Sequence, residues 1–452
     1  SLIKLLVALI PYHTLGIYLR GKYISQSHFI AATIVFIFLL HLLRYPMLKK
    51  TEIYWVAPFL GFLTIGLLGI LYSPFGEAIW VKGFIQLAGI FVMLLLSIAV
   101  GRYLLSLSFM LTLTKIMMFS LTVFSAIAIL QFILLNAFPG KNVIEFSFLN
   151  SLAGGSVWRA PGNLGSVYRA NSLAAEPAHF SSYLSIGLGI AILRLGLFGK
   201  THQIFLQKTI PFWAALIVLG GFLVSLSILG LVLVGIVIVS LYIATRKLKV
   251  TNIIRMFLLG IFLSVALFSL NVAAQNQLLS KFKSISLISF KGDYTGYDVN
   301  DLSALTISAN AAVASRNFLN NPILGGGLGS HPLAYDLYAP SYVTKIPGFP
   351  RWNTEDAASL FLRLLSETGL AGLLLFVGGF LLAIFRARNE LHRNNESSIY
   401  NSIFIGILAS FVGMFSIYLM RKGNYYDPVF WVSATFVFAI PYLNKIYILH
   451  EE

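Results

Sequence analysis

Long apolar stretches dominate the chain and are separated by short polar connections. Each stretch has about 20 residues, the length that an α-helix needs to cross the hydrocarbon core of a bilayer. About twelve such stretches are present, and the spans they predict are 2–18, 28–44, 53–72, 79–100, 113–136, 179–198, 204–222, 228–244, 254–272, 369–387, 399–420 and 427–447. The pattern predicts an all-α, polytopic membrane protein.

Two of these spans need comment. Pro11 and His13 interrupt the first, which makes it the weakest of the set. The apolar run 204–244 is too long for one crossing, so we divide it near Ser225 and Ser227.

Composition excludes several classes of protein. The 452 residues are 58% hydrophobic and 11% charged, too little charge to cover a soluble domain of this size. The net charge of +16 could indicate nucleic-acid binding, but the basic residues are dispersed among the spans, so we expect no nucleic-acid partner. Cysteine is absent, which excludes disulfides, Cys-ligated zinc and thiol nucleophiles. No cleavable signal peptide is expected.

Basic residues predict the orientation, because Lys and Arg concentrate in cytoplasmic loops. With the N-terminus inside, the cytoplasmic connections hold Arg44, Lys49, Lys50, Arg102, Lys200, Lys208, Arg246, Lys247, Lys249, Arg255, Arg386, Arg388 and Arg393. The opposite turn at 73–78 has no Lys or Arg. Two outer connections depart from the rule, Arg20 with Lys22 and Arg421 with Lys422.

This orientation places two substantial loops outside the cytoplasm. The predicted segments are spans one to five (1–136), a first outer loop (137–178), spans six to nine (179–272), a large outer loop (273–368) and spans ten to twelve (369–452). The large loop, between spans nine and ten, should itself be helical over 301–321 and 353–369. Thr354 is the expected N-cap of the second of these helices and Gly369 its stop.

Both outer loops carry candidate chemistry. In the first, Arg159 and Arg169 each follow an aromatic residue, and Glu176 precedes Pro177. These residues form either a polar, anion-binding site or merely loop charges and a helix N-terminus. In the second, Arg316 precedes a glycine-rich turn, which is either a site for close backbone approach or a simple connector. Aromatic residues follow as interface anchors or sugar-stacking platforms, namely Tyr335, Tyr338, Tyr342, Phe349 and Trp352.

Three short motifs in these loops resemble the O-antigen polymerase and O-antigen ligase superfamily. The first is an arginine and a glycine separated by ten residues; the second is S-E-x-G-L before a span; the third is R-x-x-S-x-x-x-E-P. The matching residues are Arg316, Gly327, Glu367, Gly369, Arg169, Ser172, Glu176 and Pro177. The span count and the placing of the large loop agree with the same superfamily.

Two departures from the superfamily pattern bear on function. Many relatives have Ser-Arg between spans seven and eight, where this chain has Ile228 in place of the arginine. Ligases tend to carry His-Asn nine residues before the glutamate, where this chain has Ala358 and Ser359. The missing histidine favours a polymerase over a ligase.

The resemblance implies glycosyl transfer at the periplasmic face of a bacterial inner membrane. The donor would be a glycan on undecaprenyl diphosphate, and the acceptor a sugar hydroxyl on a lipid-linked repeat unit. No metal and no cofactor are expected, and a chain-length regulator is a further possible partner. Two alternatives remain: a ligase that transfers glycan to lipid A–core, and a transporter or flippase, which should show paired internal repeats and mid-membrane charges.

The site residues follow from the motifs and from phosphate chemistry. Arginine forks bind phosphate oxygens in pairs and can neutralise a diphosphate leaving group. The expected substrate-binding residues are Arg316, Arg169, Arg159, His331, Gly327, Trp352 and Arg351. Glu176 is the first candidate for the general base, with Glu355 and Asp356 as rivals; helix capping is the alternative role for all three.

Overall fold

The computed structural model describes residues 2–12, 15–19, 22–44, 50–104, 106–138, 163–164, 167–174, 176–245, 302–345, 351–393 and 399–451. Over these ranges the chain is mostly helical, which confirms the predicted helical character. Its helices and strands are α1 (Leu2–Leu9), β1 (Gly16–Leu19), β2 (Lys22–Ser25), α2 (Gln26–Arg44), α3 (Lys50–Leu71), α4 (Trp80–Leu104), α5 (Leu107–Ala137), β3 (Asn163–Leu164), β4 (Val167–Tyr168), α6 (Pro177–Arg194), α7 (Lys200–Gln207), α8 (Phe212–Ser225), α9 (Ile228–Thr245), α10 (Leu302–Asn320), α11 (His331–Tyr338), α12 (Ser341–Thr344), α13 (Leu360–Arg393), α14 (Ile399–Arg421) and α15 (Pro428–Glu451).

Several helices are compatible with a membrane. Four are long and apolar enough to cross one: Gly76–Leu104, Leu107–Ala137, Leu360–His392 and Ile399–Arg421. A fifth results if the bent pair α7 and α8 counts as one span. Shorter apolar helices accompany them, including α1, α2 and parts of α3, α9 and α15. The predicted span 254–272 lies outside the described residues.

The predicted first span, 2–18, is wrong in its extent. Helix α1 ends at Leu9, a 3-10 turn continues to Tyr12, and the chain then enters the β1–β2 hairpin. Pro11 lies in that turn, where its missing N–H and fixed φ oppose continuation of an α-helix.

The division of the apolar run near Ser225 is confirmed, whereas a straight span over 204–222 is wrong. Helix α8 ends at Ser225, and Leu226 takes a left-handed φ of 43° before α9 begins. Between α7 and α8 the axis bends by 111°. Pro211 precedes the first residue of α8, where proline fits a helix start and cannot extend the preceding helix.

The two helices predicted inside the large loop have different outcomes. Helix α10 matches the predicted 301–321. The predicted 353–369 is wrong at its start, because α13 begins at Leu360 and the N–H of Leu362 donates to the Ser359 hydroxyl at 3.2 Å instead of Thr354 capping the helix. The predicted stop at Gly369 is confirmed, because the backbone there leaves the helical conformation (φ 61°, ψ −159°) and α13 is kinked at that residue. The preceding segment is a turn, with left-handed φ at Ala357 (53°) and Ala358 (56°).

Most of the described helices share one hydrophobic core. A buried aromatic cluster lies between α3, α13 and α15, with the Phe59 and Phe380 ring centroids 4.7 Å apart. Helices α6 and α14 approach closely, since a Cβ on Gly189 would lie 2.4 Å from the Gly406 carbonyl oxygen. Small residues allow this approach where apolar helices pack on each other.

The predicted outer connections contact one another at one end of the helical bundle. The Ser73 hydroxyl donates to the Gly326 carbonyl at 2.6 Å, which joins the α3–α4 turn to the segment before α11. The Ser359 hydroxyl donates to the Leu419 carbonyl at 2.6 Å, which joins the start of α13 to the end of α14. The Ala170 N–H donates to the Val224 carbonyl at 3.0 Å, which joins the first outer loop to the α8–α9 junction. We call this region, where α3, α5, α8 and α14 end, the polar end.

Candidate functional site

The glycine-rich turn before α11 is docked on α13. The N–H groups of Gly326 and Gly327 donate to the carbonyls of Ser366 and Glu367, each at 2.9 Å. Gly327 has a φ of 93°, and a Cβ there would lie 2.5 Å from the Gly69 carbonyl oxygen. The turn therefore needs glycine for close packing against α3 and α13, and the Gly327 amide is engaged by the protein itself.

His331 is the centre of a buried neutral network at the start of α11. Its Nε2 lies 2.9 Å from Asn310 Oδ1, and its Nδ1 lies 3.0 Å from Ser366 Oγ. Asn310 Nδ2 donates to the carbonyls of Trp352 and Thr306, so its Oδ1 is the acceptor and His331 Nε2 carries the proton. His331 Nδ1 then accepts from the Ser366 hydroxyl.

Burial keeps this histidine neutral. Desolvation, with the nearby positive charges of Arg363 and Lys82, lowers the pKa of His331 to about 3. The side chain is fully buried and both ring nitrogens have protein partners. This placement suits a role in holding α10, α11 and α13 together.

A buried ion pair lies beside that network on α13. Arg363 Nε donates to Glu367 Oε2 at 3.2 Å, and the two side chains are 4% and 0% exposed. Arg363 Nη1 also donates to the Gly423 carbonyl at 2.6 Å, and its guanidinium lies 4.4 Å from the centroid of the Tyr425 ring. The pair therefore fixes the connection between α14 and α15 against α13.

This pair leaves polar atoms poorly satisfied. Neither Glu367 Oε1 nor the Tyr425 hydroxyl makes a hydrogen bond of good geometry among the described residues, although both are buried. The two groups are still near neighbours, because burial and then the Glu367 carboxylate raise the pKa of Tyr425 well above its usual value. Buried polar atoms are costly when unpaired, so Glu367 and Tyr425 depend on their mutual interaction.

Lys422 lies in the same connection, inside a cage of aromatic and acidic side chains. Its ammonium nitrogen is 4.4 Å from the Tyr183 ring centroid and 5.2 Å from that of Tyr418. Burial lowers the pKa of Lys422, while the negative charges of Asp427 and Glu176 oppose that shift. Cation–π contacts and two carboxylates thus hold a positive charge at the polar end.

The first outer loop is anchored on α5 just before α6. The Gln131 side-chain oxygen accepts from the N–H groups of Asn171 and Ser172, at 3.0 and 2.9 Å. The Asn136 side chain accepts from the Tyr168 N–H at 2.9 Å and donates to its carbonyl at 3.1 Å. These bonds position the motif residues that follow Tyr168.

Glu176 is the N-cap residue of α6, but its side chain makes no capping hydrogen bond. Its Oε1 lies 3.6 Å from His179 Nε2, and its charge acts on both Arg169 and Lys422. Burial lowers the pKa of Arg169, with the Glu176 charge opposing the shift, and Arg169 Nε has no hydrogen-bond partner among the described residues. The charge of one carboxylate therefore acts on two cations from different parts of the chain.

The two rival carboxylates have different surroundings. Glu355 is mostly exposed, with its carboxylate 2.6 Å from the Lys82 ammonium. Asp356 accepts from the Ala358 N–H at 3.0 Å, and burial raises its pKa against the opposing effects of that bond, Arg363, Gly423 and Arg421. Asp356 therefore supports the left-handed turn before α13.

The remaining predicted residues of the second loop lie on or near α10 and α11. Arg316 is exposed, and its Nη1 donates to the Tyr338 carbonyl at 3.2 Å. Arg351 pairs with Asp336, and the half-buried Trp352 uses its carbonyl to accept from Asn310. Arg159 lies outside the described residues.

The structure thus brings some predicted residues together and adds others. Glu176 interacts electrostatically with Arg169, and Asp356 with Arg363. Within the described ranges Arg316 contacts Tyr338 and not this group. Sequence reasoning missed the roles of Arg363 and Lys422; the signal for Lys422 was its basic pair with Arg421 on the predicted outer side, against the charge rule.

Among the described residues no three His, Cys, Asp or Glu side chains are grouped as metal ligands.

No model of a known protein family matches the chain, and a search of curated proteins found no match.

Proposed function

We propose that this chain polymerises lipid-linked oligosaccharide repeat units at the outer face of a bacterial inner membrane. The proposal includes about twelve spans, a cytoplasmic N-terminus and a large outer loop between spans nine and ten. The donor is a glycan on undecaprenyl diphosphate, and the acceptor is a hydroxyl of a second lipid-linked repeat.

The observation that carries the proposal is that the Glu176 carboxylate, at the start of α6, interacts electrostatically with both Arg169 and Lys422 at the polar end. A transfer from a lipid diphosphate needs a carboxylate to accept the proton of the attacking hydroxyl. It also needs positive charge where the diphosphate leaves. This cluster offers both, on the face where the predicted orientation puts the two outer loops.

In the proposed reaction the acceptor oxygen attacks the anomeric carbon of the donor sugar. The new glycosidic C–O bond forms as the bond from that carbon to the diphosphate oxygen breaks, and the electron pair leaves with the diphosphate. Glu176 takes the hydroxyl proton. Arg169 and Lys422 stabilise the charge that grows on the leaving group, so the proposal requires no metal ion.

Arg316 has a separate part in the proposal. It lies exposed on α10 and uses one of its five N–H donors in its bond to the Tyr338 carbonyl. The remaining fork suits a diphosphate or a sugar hydroxyl that approaches over the second loop. Arg316→Ala should abolish polymerisation, and Arg316→Lys should recover little because a point charge cannot reproduce the fork.

The test is a polymerisation assay with purified protein and natural lipid-linked repeats, read as a ladder of chain lengths. Glu176→Gln should slow chain growth by about 10²–10⁴-fold, the usual contribution of a general base. Glu77→Gln is the matched control, since it neutralises an exposed carboxylate of the α3–α4 turn and should leave the rate within about twofold. If Glu176→Gln is normal while Asp356→Asn or Glu355→Gln is inactive but folded, the base lies on the second loop.

Deletion of the gene separates polymerase from ligase. A polymerase deletion should leave lipid A–core bearing a single repeat and remove the longer chains. Accumulation of long lipid-linked polymer that never reaches the core would instead identify a ligase.

Reporter fusions test the orientation. Fusions after Lys291 and Lys345 should be active outside the cytoplasm, and fusions after Lys249 and Arg393 inside it. The same response from Lys291 and Arg393 would contradict the proposed arrangement of the large loop.

A further inference from the structure

A groove of about 430 Å³ lies between α1, α2 and α4, far from the polar end. Its α4 residues, Ala99 to Tyr103, follow Lys82 by about 20 positions, or about 30 Å of helix, and Lys82 belongs to the polar end through its pair with Glu355. The groove is therefore separate from the proposed transfer site. Its volume is in the range that holds a lipid chain or a small ligand.

The groove has an apolar floor and an open side. Ile3, Phe38 and Ala99 line the floor and are 4%, 7% and 1% exposed. Ile37 and Tyr103 line the opening and are 51% and 60% exposed. On the outward face of α2 further large apolar side chains are exposed, so the opening faces the surface that a membrane-spanning chain presents to lipid.

Polar groups collect at one end of the groove. Arg102, His41 and Tyr103 line it there, near the ends of α4 and α2. The Arg102 guanidinium lies 5.1 Å from the centroid of the Phe38 ring, which holds the charge beside the apolar floor.

We propose that this groove binds an anionic glycerophospholipid of the cytoplasmic leaflet. One acyl chain lies along Ile3, Phe38 and Ala99, and the headgroup phosphate pairs with Arg102. A soluble anion would leave the apolar floor uncovered, and a zwitterionic lipid would lack net charge to complement Arg102. Basic pockets between helices on the cytoplasmic side favour anionic headgroups for this reason.

The experiment is native mass spectrometry of the full chain purified in mild detergent, with added phosphatidylglycerol or phosphatidylcholine of identical acyl chains. The wild type should retain phosphatidylglycerol and prefer it over phosphatidylcholine. Arg102→Gln should weaken phosphatidylglycerol retention about tenfold, as expected for the loss of one charge-assisted contact. Lys208→Gln, which removes an exposed cation that does not line the groove, is the matched control and should change nothing.

A second measurement guards against a folding defect in Arg102→Gln. Phosphatidylglycerol should raise the Tm of the wild type and of Arg102→Lys, which keeps the charge, and should raise that of Arg102→Gln much less. Equal retention of the two lipids by the wild type would overturn the proposal, as would an equal phosphatidylglycerol response in wild type and Arg102→Gln. Neither readout depends on polymerisation, so this inference and the proposed function can fail independently.

Discussion

Two polar clusters lie side by side at the polar end, and they are built differently. In the His331 cluster the two ring nitrogens, the Ser366 hydroxyl and the Asn310 side chain all have partners, and none of these groups is charged. The charged cluster of Arg363, Glu367, Lys422 and Glu176, by contrast, leaves the buried Glu367 Oε1 without a well-formed hydrogen bond among the described residues.

The difference predicts a structural role for the neutral cluster and a role in the reaction for the charged cluster. A neutral, hydrogen-bonded network fixes one arrangement of its helices. Charged groups can instead act on the charge that develops in a reaction, as proposed for Glu176 and Lys422. We therefore expect substitutions in the His331 cluster to change stability and substitutions in the charged cluster to change activity. The exception is a substitution that removes the ionic partner of a buried charge, which should also change stability.

The largest expected effect is the loss of stability when the Arg363–Glu367 ion pair is broken. Arg363→Ala would leave Glu367 buried and without its cation, and should destabilise the protein by about 3–5 kcal/mol. Thermal unfolding in detergent, followed by intrinsic fluorescence, measures the change.

The double variant Arg363→Met/Glu367→Leu is the control for this effect. It removes both charges with little change of volume, so it should recover part of the lost Tm without restoring polymerisation. A double variant no more stable than Arg363→Ala would mean that the bonds of Arg363 to the 423–425 segment, and not the ion pair, dominate.

His331→Leu should have the next largest effect. It removes the donor to Asn310 Oδ1 and the acceptor of the Ser366 hydroxyl, and should cost about 2 kcal/mol or more of unfolding free energy. Polymerisation per folded molecule should stay within about threefold, because neither ring nitrogen is expected to touch substrate. Normal stability with lost activity would move His331 into the substrate site.

Lys422→Gln should have a smaller effect on stability and a clear effect on rate. It keeps a polar side chain in the cage but removes the charge proposed to face the diphosphate, so chain growth should slow about tenfold or more. Lys82→Gln, which removes a cation paired with the exposed Glu355, is the control and should leave the rate unchanged. Equal rates for both variants would exclude Lys422 from the proposed site.

The smallest expected effect is the pH dependence of the neutral cluster. The pKa of His331 is about 3 in the folded protein, well below that of an unfolded histidine, so the unfolded chain binds more protons between those two values. Stability is fully present above about pH 6.5 and is lost as the pH falls, by about 1 kcal/mol between pH 6.5 and 5.5. Denaturant titrations at both pH values should show this loss in the wild type and a smaller one in His331→Leu.

Local patterns in the sequence are enough to predict the helices that depend on local physics. The apolar runs of α2, α9 and α14 match their predicted spans closely, because a run of that length has few other ways to satisfy its backbone in lipid. The predictions for the first span and for the segment before α13 are wrong. In both, a turn replaces a helix, and the Ala357 and Ala358 conformations depend on Asp356, whose carboxylate binds the Ala358 N–H.

The candidate site is only partly predictable for the same reason. Arg169 and Glu176 are seven positions apart and share one motif, so the sequence is enough to place them near each other. Lys422 reaches Glu176 from about 250 residues away through the packing of α14 on α6. No local pattern encodes such a contact, although the unusual basic pair on the outer side marks the position.

The sequence by itself determined that this is a helical protein with membrane-compatible spans and basic residues biased to one side, since span length and charge bias depend on each residue's own transfer between water and lipid. Only the tertiary structure decided which charges are buried together, which histidine is neutral and which glycines form close contacts. Those properties depend on short distances between residues that are distant in sequence. Packing sets these distances, and with them the desolvation and the pairing of each group.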